Sequence, residues 1–256
     1  IGGGPAGMKA AIDLCDRGHK VTLFEQQGEL GGLIRHADFV NFKWTLKEFK
    51  DFLIRQVGKR DITVRLNTKA TPALIKAEGF DRVIAALGSL PSTPPIPGVD
   101  GKNVISGLSA MMDCQQVGQQ VVVIGGGEVG VEAGIYLAQT GREVTVLEMR
   151  PKLAADATIM HFRSMFKEYW ENIPTFHGLC GVTSITSDGV NFRDEAGKDQ
   201  FLPADTVVIS TGMKPLREEA LAFYNAANRF ALIGDCKKPA TVQSAMRDAF
   251  AVASQI

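Results

Sequence analysis

The segment IGGGPAGMKAAIDLCDRGHKVTLFEQ, residues 1–26, recurs in altered form as IGGGEVGVEAGIYLAQTGREVTVLEM, residues 124–149. At an offset of 123 residues (124 − 1), the two segments are identical at 12 of 26 positions. The shared positions are the glycines of a turn, apolar residues at helical spacing and a terminal glutamate. Each segment therefore predicts a strand end, a glycine turn, a helix and a second strand.

The rest of the chain supports an α/β fold with two Rossmann-like dinucleotide-binding domains, the second inserted into the first. A helix is predicted over 45–57 and strands over 62–66, 82–87 and 206–210, and the proline-rich residues 91–98 predict a stiff connector. A second amphipathic helix is predicted over 158–171, followed by alternating segments near 182–192. The tail from 230 predicts a strand and helix that return to the first sheet. The predicted domains are 1–112 plus 213–256, and 113–212.

Composition limits the partners. Lys plus Arg and Asp plus Glu both number 28, so the chain has no charge excess that would attract nucleic acid or an acidic membrane. Apolar runs are far shorter than the roughly 20 residues of a bilayer span. Four separated cysteines without CxxC spacing favour buried thiols in a reducing compartment, and we expect a cytoplasmic location.

Both glycine turns fit the pattern GxGxxG, with glycines at Gly2, Gly4, Gly7, Gly125, Gly127 and Gly130. In such a turn the first glycine permits the tight bend, the second lets a diphosphate approach, and the third lets helix and strand pack closely. An acid follows the third glycine at 18 residues in each copy, namely Glu25 (25 − 7) and Glu148 (148 − 130). That spacing suits a carboxylate that binds ribose hydroxyls. Two adenine dinucleotides are predicted, and glycines kept only for packing are the alternative.

Three further motifs carry a resemblance to a known superfamily. AALGSLP (85–91), STGMKP (210–215) and FALIGDC (230–236) resemble motifs of the two-dinucleotide-binding flavoprotein reductases, which include thioredoxin and glutathione reductases. Leu87 departs from the threonine usual in the first motif. The resemblance implies FAD in the outer domain and NAD(P)H in the inserted one. It also implies that Asp235 holds the ribityl chain and that the backbone near Thr241 and Val242 faces the flavin.

Within that superfamily, GELGGLIRHADFVNFK (28–43) and the second glycine segment resemble the C-terminal module of iron–sulfur flavoenzymes built on an old-yellow-enzyme barrel. These include 2,4-dienoyl-CoA reductase, 2-enoate reductases and trimethylamine dehydrogenase. In complete members a barrel with FMN and a four-iron cluster precedes this module. Only Ile1 precedes the first glycine turn, where a central strand is expected, so a longer polypeptide is expected.

The resemblance, with the glycine turns, assigns candidate residues. The predicted FAD-binding residues are Gly2, Gly4, Pro5, Ala6, Gly7, Glu25, Gln26, Gly31, Gly32, Leu33, Ala70, Ala86, Gly88, Asp235, Thr241 and Val242. The predicted nicotinamide-nucleotide residues are Gly125, Gly127, Glu128, Val129, Gly130, Glu148, Arg150, Thr211 and Gly212. Glu132 is the candidate catalytic residue beside the nicotinamide, with an exposed helix charge as the alternative. Asp235 alone could instead cap the last helix. No metal site is predicted.

The predicted function is hydride transfer from NADH to FAD, with electrons passing to an attached or partner iron–sulfur/FMN barrel that reduces an enoate-type substrate. The chain lacks the dithiol that disulfide reductases need, so the electron acceptor is expected outside it. A free-standing NADH:acceptor reductase and a nucleotide-binding structural module are the alternatives, and a homo-oligomer is left open. Glu148 favours NADH over NADPH, whereas Arg150, which can bind a 2′-phosphate, is the competing signal.

Overall fold

The structure is a computed structural model of the 256-residue chain, and it describes residues 1–38, 40–155, 157 and 175–256. The helix predicted over 158–171 lies outside the described residues. Contacts divide the chain into two compact units: unit 1 is Ile1–Leu90 with Met213–Ile256, and unit 2 is Pro91–Gly212. Among the described residues, no helix combines the length and the apolar character that crossing a membrane requires.

Unit 1 contains four main helices and three short ladders of strands. Its helices are α1 (Pro5–Asp16), α2 (Trp44–Gly58), α3 (Pro72–Glu78) and, near the end of the chain, α7 (Val242–Ala253), with a short α6 (Arg217–Leu221). Its strands are β1 (Val21–Phe24), β2 (Ile62–Arg65), β3 (Arg82–Ala85), β4 (Ser89–Pro91), β13 (Met213–Pro215) and β14 (Arg229–Leu232). β1 pairs with β2 and β3 with β14, both in parallel, while β4 pairs with β13.

The first two residues join the β1 and β3 ladders. The Gly2 amide donates to the Phe24 carbonyl, and the Ala86 amide donates to the Ile1 carbonyl, each at a distance of 2.8 Å. The Ile1 amino group donates to the Ile84 carbonyl. Ile1 and Gly2 thus lie between β1 and β3, at the place that the central strand occupies in a Rossmann-like sheet. The glycine turn therefore starts from the middle of the unit.

Unit 2 contains a five-stranded parallel sheet and a three-stranded antiparallel sheet. The parallel order is β5-β12-β6-β7-β8, and the antiparallel order is β11-β10-β9. The elements are β5 (Val104–Ser106), α4 (Gly107–Met112), β6 (Gln120–Ile124), α5 (Glu128–Gln139), β7 (Glu143–Leu147), β8 (Thr175–His177), β9 (Gly181–Thr186), β10 (Gly189–Arg193), β11 (Asp199–Pro203) and β12 (Thr206–Ile209). β6 and β12 are almost completely buried, as expected for central parallel strands.

One predicted boundary is wrong. The sequence placed residues 91–112 in the first domain, but unit 2 begins at Pro91. The reason is that β5 pairs in parallel with β12 and so adds an edge strand to the sheet of unit 2. The proline-rich connector leads into this strand. At its end Gly98 has a φ of +86°, and a Cβ on this residue would lie only 1.9 Å from the Ile185 carbonyl oxygen. The connector is therefore built into unit 2.

Candidate dinucleotide sites

The first and third glycines of each turn are required by packing alone. Gly2 and Gly125 have φ values of +101° and +102°, which favour glycine. A Cβ at Gly7 would lie 1.9 Å from the Gly2 carbonyl oxygen, and a Cβ at Gly130 would lie 1.9 Å from that of Gly125. These four glycines therefore let each helix start tightly against its strand, whatever the unit binds.

The second glycines have no such packing reason. A Cβ at Gly127 would meet no described atom within 4 Å, and at Gly4 it would meet only the Gly32 Cα, at 3.8 Å. Neither residue has a positive φ. Space beside the backbone at these two positions is what a diphosphate needs for a close approach. The alternative that all six glycines serve packing accordingly does not explain Gly4 and Gly127.

Each acid is buried and bound to its turn in the same way. Glu25 and Glu148 are both 8% exposed. Oε2 of Glu25 accepts from the Gly3 amide at 2.7 Å, and Oε2 of Glu148 accepts from the Gly126 amide at 2.6 Å. Oε1 accepts from the amide two residues onward, that of Gln27 or Arg150, at 2.8 and 2.9 Å. Each carboxylate is thus oriented at the strand end and keeps lone pairs for ribose hydroxyls.

The loop after each acid returns to the same glycine turn. In unit 1 the Gly31 amide donates to the Gly3 carbonyl at 2.9 Å, and in unit 2 the Ala154 amide donates to the Gly126 carbonyl at 2.7 Å. The units differ one residue later. Gly32, with a φ of +56°, would place a Cβ 2.8 Å from the Gly4 Cα, so its backbone lies directly against the second glycine of unit 1.

The helix starts suit phosphate. α1 and α5 begin after Gly4 and Gly127, and neither N-cap residue provides a side-chain hydrogen bond. The amides of the first turn therefore lack the usual cap, and with the helix dipole they favour an anion. Uncapped helix starts, room at the second glycines and oriented acids together fit an adenine dinucleotide in each unit.

Unit 1 also contains the late aspartate. Oδ2 of Asp235 accepts from the Ser89 hydroxyl at 3.1 Å, and Oδ1 accepts from the Ala240 amide at 3.3 Å. Burial raises the pKa of the Asp235 carboxyl, and these two hydrogen bonds oppose the rise. The alternative that Asp235 caps the last helix is wrong, because the side chain of Thr241 caps α7 by accepting from the Ser244 amide at 3.2 Å.

The remaining predicted residues lie in the unit in which they were expected. Pro5 and Val242 begin α1 and α7, and Leu33 lies in the 3-10 helix Gly32–His36. Gln26 is exposed, whereas Ala70 packs against the core around Phe24. The others in unit 1 are Ala6, Ala86 and Gly88; in unit 2 they are Glu128, Val129, Thr211 and Gly212. The Gly212 carbonyl accepts from the Ser92 amide at 2.9 Å, which fixes the strand exit.

Glu132 is not an exposed helix charge. It lies on α5, two residues beyond Gly130, and is only 1% exposed. The sequence alone does not distinguish a residue beside the nicotinamide from an exposed helix charge. A single glutamate among apolar residues can lie on the exposed edge of a helix or on its buried face. A carboxylate buried to this degree on the helix of the glycine turn favours a functional interpretation over a solvated one.

All four cysteines are described, and all are free thiols. Cys236 is fully buried, and its Sγ donates to the carbonyls of Ala85 and Ile233. Burial raises the pKa of the Cys236 thiol and of the Cys180 thiol, which keeps both protonated and unreactive. None of the four thiols forms a disulfide in the structure.

Unit 2 is continuous in sequence and is inserted into unit 1, and each unit has one glycine turn. Two such units define the class of oxidoreductases that bind two dinucleotides. The chain belongs to the pyridine nucleotide-disulphide oxidoreductase family, whose profile matches residues 1–249. An NADH oxidase of Thermoanaerobacter brockii is 34% identical over 262 residues, covering 100% of this chain and 40% of that protein. A cinnamate reductase of Clostridium sporogenes is 32% identical over 270 residues, covering 100% of this chain and 38% of that protein.

A solved 2-naphthoyl-CoA reductase complex matches the whole chain with a TM-score of 0.93 and 31% identity, over 39% of its own length. The chain thus spans about two fifths of the length of these relatives. These similarities confirm the predicted fold class, the enzyme class of FAD-dependent oxidoreductases and the resemblance to old-yellow-enzyme-type flavoenzymes. FAD and NAD(P)H are the cofactors typical of the family.

Proposed function

We propose that the chain is the module that takes hydride from NADH in unit 2 onto FAD in unit 1 and delivers electrons to an attached or partner domain. The repeated acid contact is the observation that supports this most directly. Two carboxylates, each 8% exposed, bind the turn amide at 2.7 and 2.6 Å in the same arrangement. Two ribose-binding acids in one chain suit a reaction between two dinucleotides, which a single-nucleotide structural module does not require.

When bound, FAD supplies an acceptor for hydride, and the protein supplies position and charge. In unit 1, Glu25 is oriented toward the ribose and the start of α1 toward the diphosphate. Asp235, held by Ser89 and Ala240, provides carboxylate oxygens for the ribityl hydroxyls. In unit 2, Glu148 and the start of α5 do the same for the nicotinamide nucleotide. Glu132, buried on α5, is the proposed group beside the nicotinamide.

The proposed preference is for NADH. Glu148 presents a carboxylate to the ribose, and a 2′-phosphate there would meet like charge and lose hydrogen bonds to free hydroxyls. Arg150 is the opposing feature, since its Nε lies 3.6 Å from Glu148 Oε1. At that distance the guanidinium of Arg150 partly neutralises the charge of the Glu148 carboxylate. Because the Arg150 side chain is 41% exposed, solvent screens the pair, and we expect the acid to dominate.

The test is anaerobic reduction of the FAD-loaded chain by NADH. The reduction is monitored as a loss of flavin absorbance. Rapid bleaching by NADH, with the variant Glu25→Gln retaining less FAD than the parent protein, supports the proposal. A matched control is Glu29→Gln, because Glu29 lies on the same loop and is 68% exposed. Failure of the parent chain to retain FAD, or retention without reduction by NADH, would contradict it.

The acceptor is proposed to be an attached or partner domain that reduces an enoate-type substrate. The cinnamate reductase and the 2-naphthoyl-CoA reductase are named for reducing conjugated acids or thioesters, and the chain matches about two fifths of each. The NADH oxidase relative favours a second candidate, in which oxygen accepts the electrons directly. Rates of reoxidation by air and by a one-electron dye separate the two: oxygen consumption that matches NADH oxidation favours the oxidase.

A further inference from the structure

The loop formed by residues 31–38 lies against the first glycine turn at one of its ends. The Gly31 amide donates to the Gly3 carbonyl at 2.9 Å, and a Cβ on Gly32 would lie 2.8 Å from the Gly4 Cα. Gly4 is the second glycine of the turn, beside which a diphosphate would approach. The position of the 31–38 loop therefore limits the space that is available to a diphosphate in unit 1.

A buried ion pair holds the other end of the 31–38 loop. Asp38 is 8% exposed, and its Oδ2 accepts from the Nζ of Lys50, which lies on α2. The Lys50 side chain is 14% exposed, and its Nζ also lies 3.5 Å from Oδ1 of Asp51. Burial alone would lower the pKa of Lys50, but Asp38 and Asp51 outweigh it and raise the pKa, so the side chain stays charged.

The stem of the same lysine passes the first end of the loop. A Cβ on Gly31 would lie 2.9 Å from Lys50 Cδ and 2.9 Å from Arg35 Cγ. The Nε of Arg35 donates to the Gly32 carbonyl at 3.4 Å. The Lys50 side chain thus lies beside Gly31 with its stem and binds Asp38 with its ammonium group.

The ion pair connects the loop to a part of unit 1 that is fixed by packing. Leu53 and Val57 of α2 belong to one buried core with Met8 and Ile12 of α1, the helix that begins after Gly4. A buried ion pair seldom adds much net stability, because desolvation offsets the attraction, but separating its partners is costly. The pair therefore fixes the position of the loop more than it stabilises the fold.

We propose that Lys50 and Asp38 are positioning residues for FAD, because their ion pair holds the 31–38 loop against the first glycine turn and slows the release of FAD from unit 1. Neither side chain is required to touch the cofactor, since the pair acts through the backbone of Gly32 beside Gly4. This inference rests on the proposed function, because it takes unit 1 as the FAD site.

The experiment measures the rate at which the FAD-loaded chain releases FAD, from the recovery of flavin fluorescence after dilution. The variant Lys50→Met keeps the stem beside Gly31 and removes the ammonium group. We expect it to raise the FAD dissociation rate about tenfold and to leave the dissociation constant of NADH unchanged. The matched control is Arg60→Met, because Arg60 pairs with Asp16 at 2.7 Å, at the end of α1 that is opposite to the glycine turn.

A second variant separates positioning from stability. Lys50→Met leaves the Asp38 carboxylate buried without this partner, so the thermal midpoint of the FAD-free protein should fall. The double variant Asp38→Asn/Lys50→Met removes both charges at nearly constant volume and should recover most of the midpoint. Release of FAD should stay fast in the double variant, because the connection between α2 and the loop is still missing.

The outcomes are distinct. Release of FAD from both variants at the parent rate would overturn the inference while the proposed function stands. A dissociation rate that recovers with the midpoint in the double variant would make the ion pair purely structural and also overturn the inference. A parent chain that retains FAD but is not reduced by NADH would contradict the proposed function alone. A parent chain that retains no FAD would overturn both.

Discussion

The two glycine turns share their geometry but differ in how the second glycine is enclosed. The acid-to-turn hydrogen bonds agree within 0.1 Å between Glu25 and Glu148. In unit 1 the backbone of Gly32 lies 3.8 Å from a Cβ built at Gly4, whereas no described atom lies within 4 Å at Gly127. The recurring part is the one that we propose to bind a ribose and a diphosphate, and Gly32 is an addition to it in unit 1.

The largest expected effect tests the shared part. Gly7→Ala and Gly130→Ala would each place a Cβ 1.9 Å from a backbone carbonyl oxygen that cannot move without disturbing a central strand. We expect each to lower the unfolding free energy by at least about 3 kcal/mol, measured by chemical denaturation. The controls are Gly58→Ala and Gly181→Ala, whose Cβ atoms meet no described atom within 4 Å. Near-native stability of either turn variant would show that the turns are not built alike.

The second prediction separates fold from ligand. Gly4→Ala should leave the fold intact and weaken FAD binding, and Gly127→Ala should do so for NADH, each by tenfold or more, or ~1.4 kcal/mol. The physical reason is that the new methyl group fills space that the diphosphate needs. Dissociation constants and thermal midpoints are measured together. A lower thermal midpoint with unchanged binding would contradict the prediction and show that both glycines are needed for packing.

The third prediction sharpens the difference in nucleotide chemistry. With the FAD-loaded chain, kcat/KM should favour NADH over NADPH by about tenfold, since a carboxylate meets the 2′-phosphate. Glu148→Gln should erode this ratio, and Arg150→Ala should increase it, each by roughly three- to tenfold, because removing the arginine removes the phosphate-binding group. Arg193→Ala, which loses an exposed pair with Asp199, is the control. A higher kcat/KM for NADPH in the parent would refute the preference.

The smallest effect concerns Asp235, the carboxylate of unit 1 that accepts hydrogen bonds from Ser89 and Ala240. Burial raises its pKa, so the folded state binds the proton more readily than the unfolded state does. Stability is therefore lost as pH rises from the unfolded pKa through the folded pKa. Asp235→Asn should raise the midpoint of the FAD-free protein at pH 7 by about 2 °C or less. It should also flatten the acid side of the stability profile and weaken FAD binding.

A fall in the midpoint of Asp235→Asn would show that the hydrogen bonds from Ser89 and Ala240 outweigh the cost of burial. The matched control is Asp248→Asn. Asp248 is also a unit 1 carboxylate, but it pairs with the exposed Lys237 at 3.0 Å.

The sequence predicted the glycine turns, their acids and most strands, because these follow from local periodicity and fixed spacing. β12 is one residue shorter than predicted, and α2 one residue longer at each end. The domain boundary failed because β5 has only three residues and gains its identity from pairing with β12. Short edge strands carry little periodic signal.

The site was predictable in its repeated parts and unpredictable where long-range contacts decide. The contact between Ser89 and Asp235 joins residues 146 apart, and no spacing rule gives it. The burial of Glu132 depends on how α5 packs. The pairing of Asp38 with Lys50 likewise emerges only from the fold. Local patterns thus identify what a turn can bind, and tertiary packing identifies what tunes it.

The hydrogen bond from the Gly126 amide to Glu148 has a consequence for how nucleotide preference can change over evolution or by engineering. Glu148, the residue proposed to distinguish NADH from NADPH, also links the strand end to the turn through this hydrogen bond, and Glu25 makes the equivalent bond in unit 1. A direct replacement of Glu148 by a small neutral residue would leave a turn amide without its acceptor before any new affinity is gained. Routes through Arg150, whose side chain is partly exposed, avoid that intermediate. Adaptation toward a different nucleotide should therefore begin beside the acid and reach the acid last.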